Sequence, residues 1–358
     1  MARTHRLNVV NVPSIAKPIQ PSPGFSKKGL SDFKLDVCGL CEFGCRYCSS
    51  NHGNYLRINR GKFARLTEEQ LGRSALPAEE PNLMFRWPEV LDRLKAQLHR
   101  KKRSWGWGKT LVYSMLTDGF SPSLVRDGVT EAALRGVLEQ TSFRVRVLTK
   151  NAIVGTDYWV EFFRGFSGRF VVGLSVGTGD DRWARRVEVG TSQPSARLRA
   201  LHRLQDAGVP TYGMLCPVFP DLLAGDALER LVDRVKPDSC EHVWAEPFND
   251  RLNWRQVRDG YDPGSPGYRW LTDVYDYGKR ELWSRYATEL YKRLRDKSER
   301  EGWLSKLRYL LYEDQITSAD ALAFAGLKGV WLQSKPGPDG RSQNPAIAAL
   351  QGGNVAVA

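Results

Sequence analysis

The sequence predicts an α/β fold in which six strands alternate with helices along residues 31–251. Short apolar runs, typical of buried strands, recur through this region. Segments with apolar residues at helical spacing separate them. Such alternation predicts a parallel sheet, and right-handed crossovers curl a parallel sheet toward a barrel. We therefore expect a partial (β/α)6 TIM-like barrel.

The predicted elements follow one another in a regular order. The six expected strands cover residues 33–37, 110–116, 144–148, 169–175, 210–217 and 242–246. The expected helices cover residues 88–99, 130–140, 158–162, 195–206, 226–235 and 279–295. Residues 51–86 show no clean period, so no element is predicted there.

Three further segments lie outside the strand–helix alternation. Residues 1–30 are rich in proline and carry several Lys and Arg, which predicts an extended basic arm. Residues 252–330 are predicted to form a C-terminal helical extension, in which Trp303, Leu304, Leu307, Leu310 and Leu311 repeat a helical spacing. Residues 331–358 are rich in small residues, glycine and proline and predict a flexible tail.

Composition limits the classes of protein to which the chain can belong. Its 358 residues are enough for one large domain or two small ones. There is no apolar run of about 20 residues, so no membrane partner is expected. The N-terminus lacks a secretion signal, and four of the six cysteines are clustered, which predicts a reduced, cytoplasmic protein. The net charge of +13 favours an anionic partner such as nucleic acid, or serves only solubility.

One short loop concentrates the chemistry of the chain. Cys41, Cys45 and Cys48 form a C-x3-C-x2-C run, and Cys38 lies three residues upstream. Three thiolates on a 4Fe–4S cluster leave one iron without a protein ligand, and a small molecule can bind there. Two alternatives stay open. All four cysteines together resemble a zinc site, although zinc sites usually separate their two pairs by roughly 12–20 residues; a disulfide would need an oxidising compartment.

The motif and several later stretches resemble a known superfamily. The cysteine run, with Tyr47 before its last Cys, resembles the signature of radical S-adenosylmethionine (radical SAM) enzymes. The later stretches are similar to the branch that contains spore photoproduct lyase and the DNA repair photolyase-like proteins. They are Thr149-Lys150, the segment 175–178, the segment 186–197, Ala207-Gly208-Val209-Pro210 and Cys216-Pro217-Val218-Phe219-Pro220. The resemblance runs from about residue 36 to about residue 251.

The resemblance implies two cofactors, a 4Fe–4S cluster and S-adenosyl-L-methionine. Cys41, Cys45 and Cys48 would bind the cluster and so act as metal ligands and catalytic residues. Tyr47 would belong to the cofactor site. A reducing partner such as flavodoxin or ferredoxin would supply an electron for the cleavage of S-adenosylmethionine. The resulting 5′-deoxyadenosyl radical would abstract hydrogen from a substrate, in a lyase-like enzyme.

The resemblance also assigns residues to the parts of S-adenosylmethionine. Thr117 and Asp118 would bind its amino group, and Lys150 would reach its carboxylate as a charged donor on a flexible stem. Ser175 would hydrogen-bond the cofactor hydroxyls. Arg186 and Glu188 would contact the ribose or the methionine part, and Val218 would pack near the adenine. A plain turn at Asp118-Gly119 and an exposed ion pair of Arg186 with Glu188 are the structural alternatives.

The substrate stays open at this point. Spore photoproduct lyase uses a Cys as hydrogen donor after its second strand, and this chain has Ser114-Met115-Leu116 at the corresponding place. This departure argues against a spore photoproduct lyase proper. A DNA lesion, another nucleic acid, a peptide or a small molecule are all compatible with the sequence. A non-catalytic, zinc-stabilised nucleic-acid-binding protein is the alternative of another class.

A second stretch carries a possible binding function. Residues 99–109 interleave Lys and Arg with Trp105 and Trp107, a pattern that can neutralise phosphate and stack on bases. The alternative is a solvated helix end whose tryptophans belong to the core.

Overall fold

The computed structural model describes residues 7–52, 54–76, 80, 82–114, 116–250, 252–333 and 342–351. The chain forms two compact units. The first comprises Met1–Ser175, Asp180–Pro210 and Asp250–Gly260, and the second Val176–Gly179, Thr211–Asn249 and Tyr261–Ala358. Each unit is an α/β structure with parallel strands.

The first unit contains two sheets. Its strands are β1 (Asn8–Asn11), β2 (Ile19–Pro21), β3 (Phe33–Leu35), β4 (Cys38–Leu40), β5 (Leu83–Arg86), β6 (Thr110–Tyr113), β7 (Arg144–Thr149) and β8 (Phe170–Ser175). In the larger sheet the order is β2-β3-β6-β7-β8, with β2 antiparallel and the others parallel. The smaller sheet has the order β1-β5-β4, in which β4 is antiparallel to β5.

The helices of the first unit connect these strands. Their bounds are Pro23–Ser26, Ser49–His52, Asn54–Leu71, Val90–His99, Pro122–Arg126, Val129–Gln140, Asp157–Gly165, Asp181–Val187, Pro194–Asp206 and Trp254–Arg258, with a 3-10 helix at Ala152–Gly155. Most bury one apolar face; in Val129–Gln140 the buried residues include Ala133, Leu134 and Val137.

The strands of the second unit are parallel to one another. Its strands are β9 (Thr211–Val218), β10 (Cys240–Pro247), β11 (Leu307–Leu311) and β12 (Val330–Leu332), in that order. Its α-helices are Ala227–Val235, Pro266–Tyr275, Arg280–Arg300, Ser318–Ala321 and Pro345–Gln351. Its 3-10 helices are Pro220–Leu223, Pro237–Ser239, Leu304–Lys306, Glu313–Gln315 and Leu322–Phe324. Among the helices of the described residues, none is both long and apolar enough to cross a membrane.

The sequence predicted most of these elements within a few residues. All six expected strands are present, and so are the six helices expected over residues 88–295. The prediction of parallel strands alternating with helices is confirmed. Neither unit closes its sheet among the described residues, and the partial barrel that the resemblance implies stays a prediction.

Two predictions differ from the structure for physical reasons. The helical reading of Leu307–Leu311 is wrong, because this segment is strand β11 and is buried on both faces, so its apolar residues do not alternate. No element was expected over residues 51–86, yet Asn54–Leu71 is a helix. Its sequence is mostly polar, which hides the helical period.

The predicted segment boundaries also differ from the observed ones. The expected arm of residues 1–30 includes β1, β2 and the helix Pro23–Ser26. The expected helical extension contains strands β11 and β12. The expected tail contains the helix Pro345–Gln351, while residues 334–341 and 352–358 lie outside the described residues.

The 3-10 helix Ala152–Gly155 packs tightly against the helix Pro194–Asp206, and this packing can be tested by substitution. A Cβ atom built on Gly155 would lie 2.6 Å from Cα and 2.7 Å from Cβ of Ala200. We expect Gly155→Ala to lower the free energy of unfolding by about 1–3 kcal/mol through overpacking. Urea denaturation measures this change.

Gly165→Ala is the matched control. No atom lies within 4 Å of a Cβ at Gly165, which ends the helix Asp157–Gly165. This variant should be neutral or should raise stability by about 0.4–1 kcal/mol. Equal effects of the two substitutions would contradict the packing described here.

Candidate functional site

The cysteine loop 41–48 lies between β4 and the helix Ser49–His52 and is fixed by backbone contacts. The N–H of Arg46 donates to the carbonyl of Val187 at 2.8 Å. The N–H of Gly190 donates to the carbonyl of Phe43 at 2.9 Å. The loop is therefore held against the segment that follows the helix Asp181–Val187.

Two further features fix the same loop. Glu42 Oε1 accepts hydrogen bonds from both the N–H and the hydroxyl of Ser123, each at 2.6 Å. A Cβ on Gly190 would lie 3.1–3.2 Å from backbone atoms of Glu42 and Phe43, so only glycine allows this close approach without a shift. The loop conformation thus depends on contacts on both of its sides.

The three thiols of the motif form no disulfide and interact electrostatically. Cys41 and Cys48 are half-buried, and Cys45 is buried. Burial, then the neighbouring Cys48 and Asp118, raises the pKa of Cys41 to about 12. Burial also raises the pKa of Cys45, an effect that Lys150 opposes and that Cys48 and Cys41 add to. The thiols therefore lie close enough together to interact electrostatically.

These thiols fit an iron–sulfur cluster by their chemistry. They are three soft donors on one loop, none in a disulfide, and two of them reach the surface. Within the described part of the chain, no three His, Cys, Asp or Glu side chains are arranged to hold a single metal ion. A tetrahedral zinc site would need sulfurs about 3.8 Å apart, whereas cluster thiolates bind different irons.

A buried network centred on Glu188 connects the cysteine loop to the sheet. Glu188 accepts a hydrogen bond from the Tyr47 hydroxyl through one carboxylate oxygen and forms an ion pair with Arg197 through the other. Arg197 also donates to the backbone carbonyl of Ser175, at the end of β8. Lys150 Nζ lies 5.5 Å from the centre of the Tyr47 ring. Four of the predicted cofactor residues therefore meet here.

The electrostatics of this network favour a charged Arg197 and a neutral Tyr47. Arg197 is 0% and Glu188 4% exposed. Burial lowers the pKa of Arg197, but the carboxylate of Glu188 outweighs it and the pKa is raised. Burial, and then Glu188, raises the pKa of Tyr47 well above its usual value. Arg197 Nε is buried and has no hydrogen-bond partner among the described residues.

Asp118 joins the carboxyl ends of β6 and β7. Its carboxylate accepts from the Thr149 hydroxyl at 2.8 and 3.0 Å and from the Lys150 N–H at 2.7 Å. It also accepts from the N–H of Phe120 at 3.0 Å. Burial raises the pKa of Asp118, and these hydrogen bonds oppose the rise. The carboxylate thus positions the backbone that carries Lys150.

Thr117 lies in a second buried group beside Cys38. The Thr117 hydroxyl lies 3.2 Å from Asp36 Oδ1, and the N–H of Leu116 lies 3.3 Å from the same atom. Burial raises the pKa of Asp36, while Lys34 lowers it. Cys38 is fully buried, and burial followed by the charge of Cys41 raises its pKa. A hydrogen bond with Thr117 opposes this rise, so Thr117 contacts both Cys38 and Asp36.

The residue after β6 has a strained backbone. Ser114 has φ +60°, in the left-handed region that only glycine adopts without strain. Its N–H donates to the carbonyl of Leu35 at 2.7 Å. Strain of this kind concentrates at functional sites. Met115, at the place of the donor Cys in the resemblance, lies outside the described residues.

Two of the predicted residues make contacts other than those of this network. Arg186 is exposed and donates to the carbonyl of Gly260 at 3.3 Å, while Glu188 forms its ion pair with Arg197. Val218 belongs to the second unit, where it is buried at the end of β9. Its carbonyl accepts from the N–H of Phe248 at 2.9 Å.

Several residues of the site were missed in the sequence. Arg197 lies in a helix with an ordinary apolar pattern, and charged residues in such helices usually face solvent. Glu42 and Asp36 belonged to no assigned role, and Thr149 was noted only as part of the Thr149-Lys150 stretch. The available signal was position: Asp36 follows β3 and Thr149 ends β7, and functional residues gather at strand ends.

Comparisons with known proteins identify no family for the chain. No family model matches the chain. Over 208 residues it is 26% identical to the uncharacterized protein Rv2578c of Mycobacterium tuberculosis and to the uncharacterized protein Mb2609c of Mycobacterium bovis. These matches cover 57% of this chain and 55% of the relatives, so the chain spans about half the length of the curated relatives it matches.

Two solved structures show weak likeness to the chain. A spore photoproduct lyase complexed with dinucleoside spore photoproduct has a TM-score of 0.45 and 14% identity, over 72% of this chain and 67% of that one. Native anSMEcpe with bound AdoMet and Cp18Cys peptide has a TM-score of 0.41 and 12% identity, over 83% of this chain and 62% of that one. Likeness at this level decides neither fold nor function.

The ion pair of Glu188 with Arg197 can be tested by stability. Glu188→Gln leaves the guanidinium buried without a counter-charge, and breaking a buried pair in this way costs about 3–5 kcal/mol. We expect a loss of this size in the free energy of unfolding from urea denaturation.

Asp157→Asn is the control, because Asp157 pairs with Arg203 of the same helix, Pro194–Asp206, at an exposed position. An exposed pair contributes about 0–1 kcal/mol. If both amide variants lose the same small amount, Glu188 does not hold the buried network together.

Proposed function

We propose that the chain is a radical SAM enzyme that binds a 4Fe–4S cluster through Cys41, Cys45 and Cys48. The observation that carries the proposal is the C-x3-C-x2-C loop, whose three thiols form no disulfide, interact electrostatically and lie beside a buried charged network. When bound, such a cluster supplies the electron that cleaves S-adenosylmethionine to methionine and a 5′-deoxyadenosyl radical. A flavodoxin- or ferredoxin-like protein would be the source of that electron.

The residues around the loop would position S-adenosylmethionine. Lys150 would pair with its carboxylate, because the Lys150 backbone is fixed by Asp118 and its side chain extends over Tyr47. Thr117 would donate or accept near its amino group. Asp118 would contribute through the position of Lys150, since its oxygens already accept hydrogen bonds from the protein.

The buried network would orient the second half of the nucleotide. Ser175 at the end of β8 and the carboxylate of Glu188 lie on either side of Arg197, whose Nε has no protein partner. An unsatisfied buried donor favours a ligand acceptor at this place. Arg186 and Val218 would contact the ribose and the adenine, as the resemblance implies.

The substrate reaction in this proposal is abstraction of a hydrogen atom. The protein's own task is to keep a target C–H bond near the 5′ carbon of the nucleotide and to exclude water. Without a cysteine at Ser114-Met115-Leu116, return of a hydrogen would use another donor than in spore photoproduct lyase. A lyase-like reaction on nucleic acid is the favoured class, and a peptide or small molecule would be a different substrate for the same chemistry.

Substitution of the cysteines tests cluster binding. After anaerobic reconstitution, the unchanged chain should contain about four irons and four sulfides and release 5′-deoxyadenosine when reduced with dithionite. Cys41→Ser, Cys45→Ser and Cys48→Ser should each abolish the release.

Two other cysteines serve as controls for this experiment. Cys216→Ser changes a half-buried thiol of the second unit and should keep the cluster. Cys38→Ala should keep it too, whereas a four-cysteine zinc site would lose its metal. A colourless chain with one zinc, lost in all four loop variants, would establish the zinc alternative and refute the proposal.

The role of Lys150 is tested by binding of S-adenosylmethionine. Lys150→Met removes a charged hydrogen bond, which contributes about 1.5–3 kcal/mol, so the Kd should rise roughly 10- to 150-fold. Equilibrium dialysis of the reconstituted protein measures it. Lys95→Met, at an exposed position of the helix Val90–His99, should leave the Kd unchanged. Equal Kd values for both variants would remove Lys150 from the site.

A further inference from the structure

Residues 101–109 form a compact turn between the helix Val90–His99 and strand β6, here called the tryptophan turn. The N–H of Trp107 donates to the carbonyl of Ser104 at 3.0 Å, and the N–H of Lys109 donates to the carbonyl of Gly106 at 2.9 Å. Consecutive turns of this kind fix the direction of the side chain at their centre.

The first tryptophan anchors the turn to the core. The ring of Trp105 packs against Phe143 at 5.0 Å and Phe33 at 6.0 Å, and its carbonyl accepts from the N–H of Ser142 at 2.8 Å. Gly106 has φ +86°, and a Cβ there would lie 2.4 Å from the Phe143 ring. Only glycine fits this position, so the turn has one defined conformation.

The second tryptophan points into solvent. Trp107 is 82% exposed and lies between two glycines with positive φ. It is the most exposed large hydrophobic side chain among the described residues. Packing in the core therefore does not account for this indole. Its exposure forgoes the hydrophobic free energy that burial of the ring would contribute.

The surroundings of Trp107 are strongly basic. Residues 99–109 contain five Lys and Arg and no Asp or Glu: Arg100, Lys101, Lys102, Arg103 and Lys109. All five are exposed. One of them, Lys109, forms an ion pair with Asp32 at 3.3 Å. Burial, and then the charge of Arg103, lowers the pKa of Arg169, so positive charges also accumulate beyond the turn.

The tryptophan turn lies at the opposite edge of the sheet from the candidate site. The carbonyl of Lys109 accepts from the N–H of Arg144, the first residue of β7, at 3.0 Å. Lys150 follows the last residue of the same six-residue strand. At about 3.3 Å per residue, the two edges are separated by about 17 Å or more. The turn is therefore a separate surface and not a wall of the cysteine site.

We propose that the tryptophan turn binds single-stranded nucleic acid, with an unpaired base stacked on Trp107 and phosphates neutralised by Lys101, Lys102 and Arg103. An exposed indole beside several cations is the arrangement that binds single strands without sequence preference. A duplex presents its phosphates, but its bases are stacked on one another. It could therefore form the phosphate contacts but not the stack on Trp107. The inference holds whether or not the cysteine loop carries a cluster.

An anionic membrane is the other partner that Trp, Lys and Arg can contact. Interfacial binding needs a contiguous apolar face that enters the lipid. Within residues 99–109, Trp107 is the one large hydrophobic side chain that is exposed. Five exposed cations and one exposed indole within residues 99–109 match phosphates and one base better than a lipid surface.

Fluorescence anisotropy of a labelled oligothymidylate of roughly 16 nucleotides, titrated with the full chain, tests the proposal. Trp107→Ala should weaken binding roughly five- to a hundredfold, the effect of one lost base stack. The triple variant Lys101→Gln, Lys102→Gln, Arg103→Gln should lower the slope of log affinity against log salt by about 2, since three phosphate contacts are lost.

Two matched controls separate the turn from general effects. Tyr277→Ala removes another aromatic residue, 69% exposed and with Lys279 Nζ 5.8 Å from its ring centre, in the second unit. A triple variant of Arg280, Arg285 and Lys292 to Gln removes the same charge from the exposed face of the helix Arg280–Arg300. Both controls should bind as the unchanged chain does.

The possible outcomes support or overturn the proposal. Loss of affinity in the turn variants alone, with weaker binding of a duplex of the same length, supports it. Equal losses in the turn and control variants overturn it, since binding would then follow net charge. If vesicles containing phosphatidylserine bind in a Trp107-dependent way and the oligonucleotide does not, the surface is a membrane contact and the proposal is wrong. Thermal unfolding of each variant shows that the fold is kept.

Discussion

The candidate site depends on a single buried carboxylate. Glu188 is shared between the hydroxyl of Tyr47, inside the cysteine loop, and the guanidinium of Arg197, inside a core helix. A charge in this environment is tolerated only with a partner and with hydrogen bonds. The same contact that balances the charge therefore fixes the cysteine loop against the sheet, through Arg197 and the carbonyl of Ser175.

The position of the site follows from the order of the strands. β6, β7 and β8 are parallel neighbours, so the residues after their carboxyl ends lie at one edge of the sheet. Asp118 connects two of these ends and sets the backbone of Lys150. The opposite edge of the same sheet carries the tryptophan turn. One sheet thus separates a buried, charged site from an exposed, basic surface.

The sequence predicted what depends on local pattern. Strands such as β7 and helices such as Val129–Gln140 have clear periods and were placed almost to the residue. The cysteine spacing predicted a cluster site, which stays a prediction. The partner of Glu188 could not be predicted, because the contact with Arg197 arises when a helix packs on a sheet and leaves no trace in spacing. The two tryptophans of the turn show the same limit: Trp105 is anchored and Trp107 exposed, although both lie between basic residues.

The central claim is that the three thiols hold a cluster with one iron open to S-adenosylmethionine. Electron paramagnetic resonance of the reconstituted, dithionite-reduced protein tests it most directly. The account predicts the signal of a reduced 4Fe–4S cluster, and a change in that signal when S-adenosylmethionine is added, because the ligand binds the open iron. A cluster signal that S-adenosylmethionine leaves unchanged, or a protein with zinc and no signal, would contradict it.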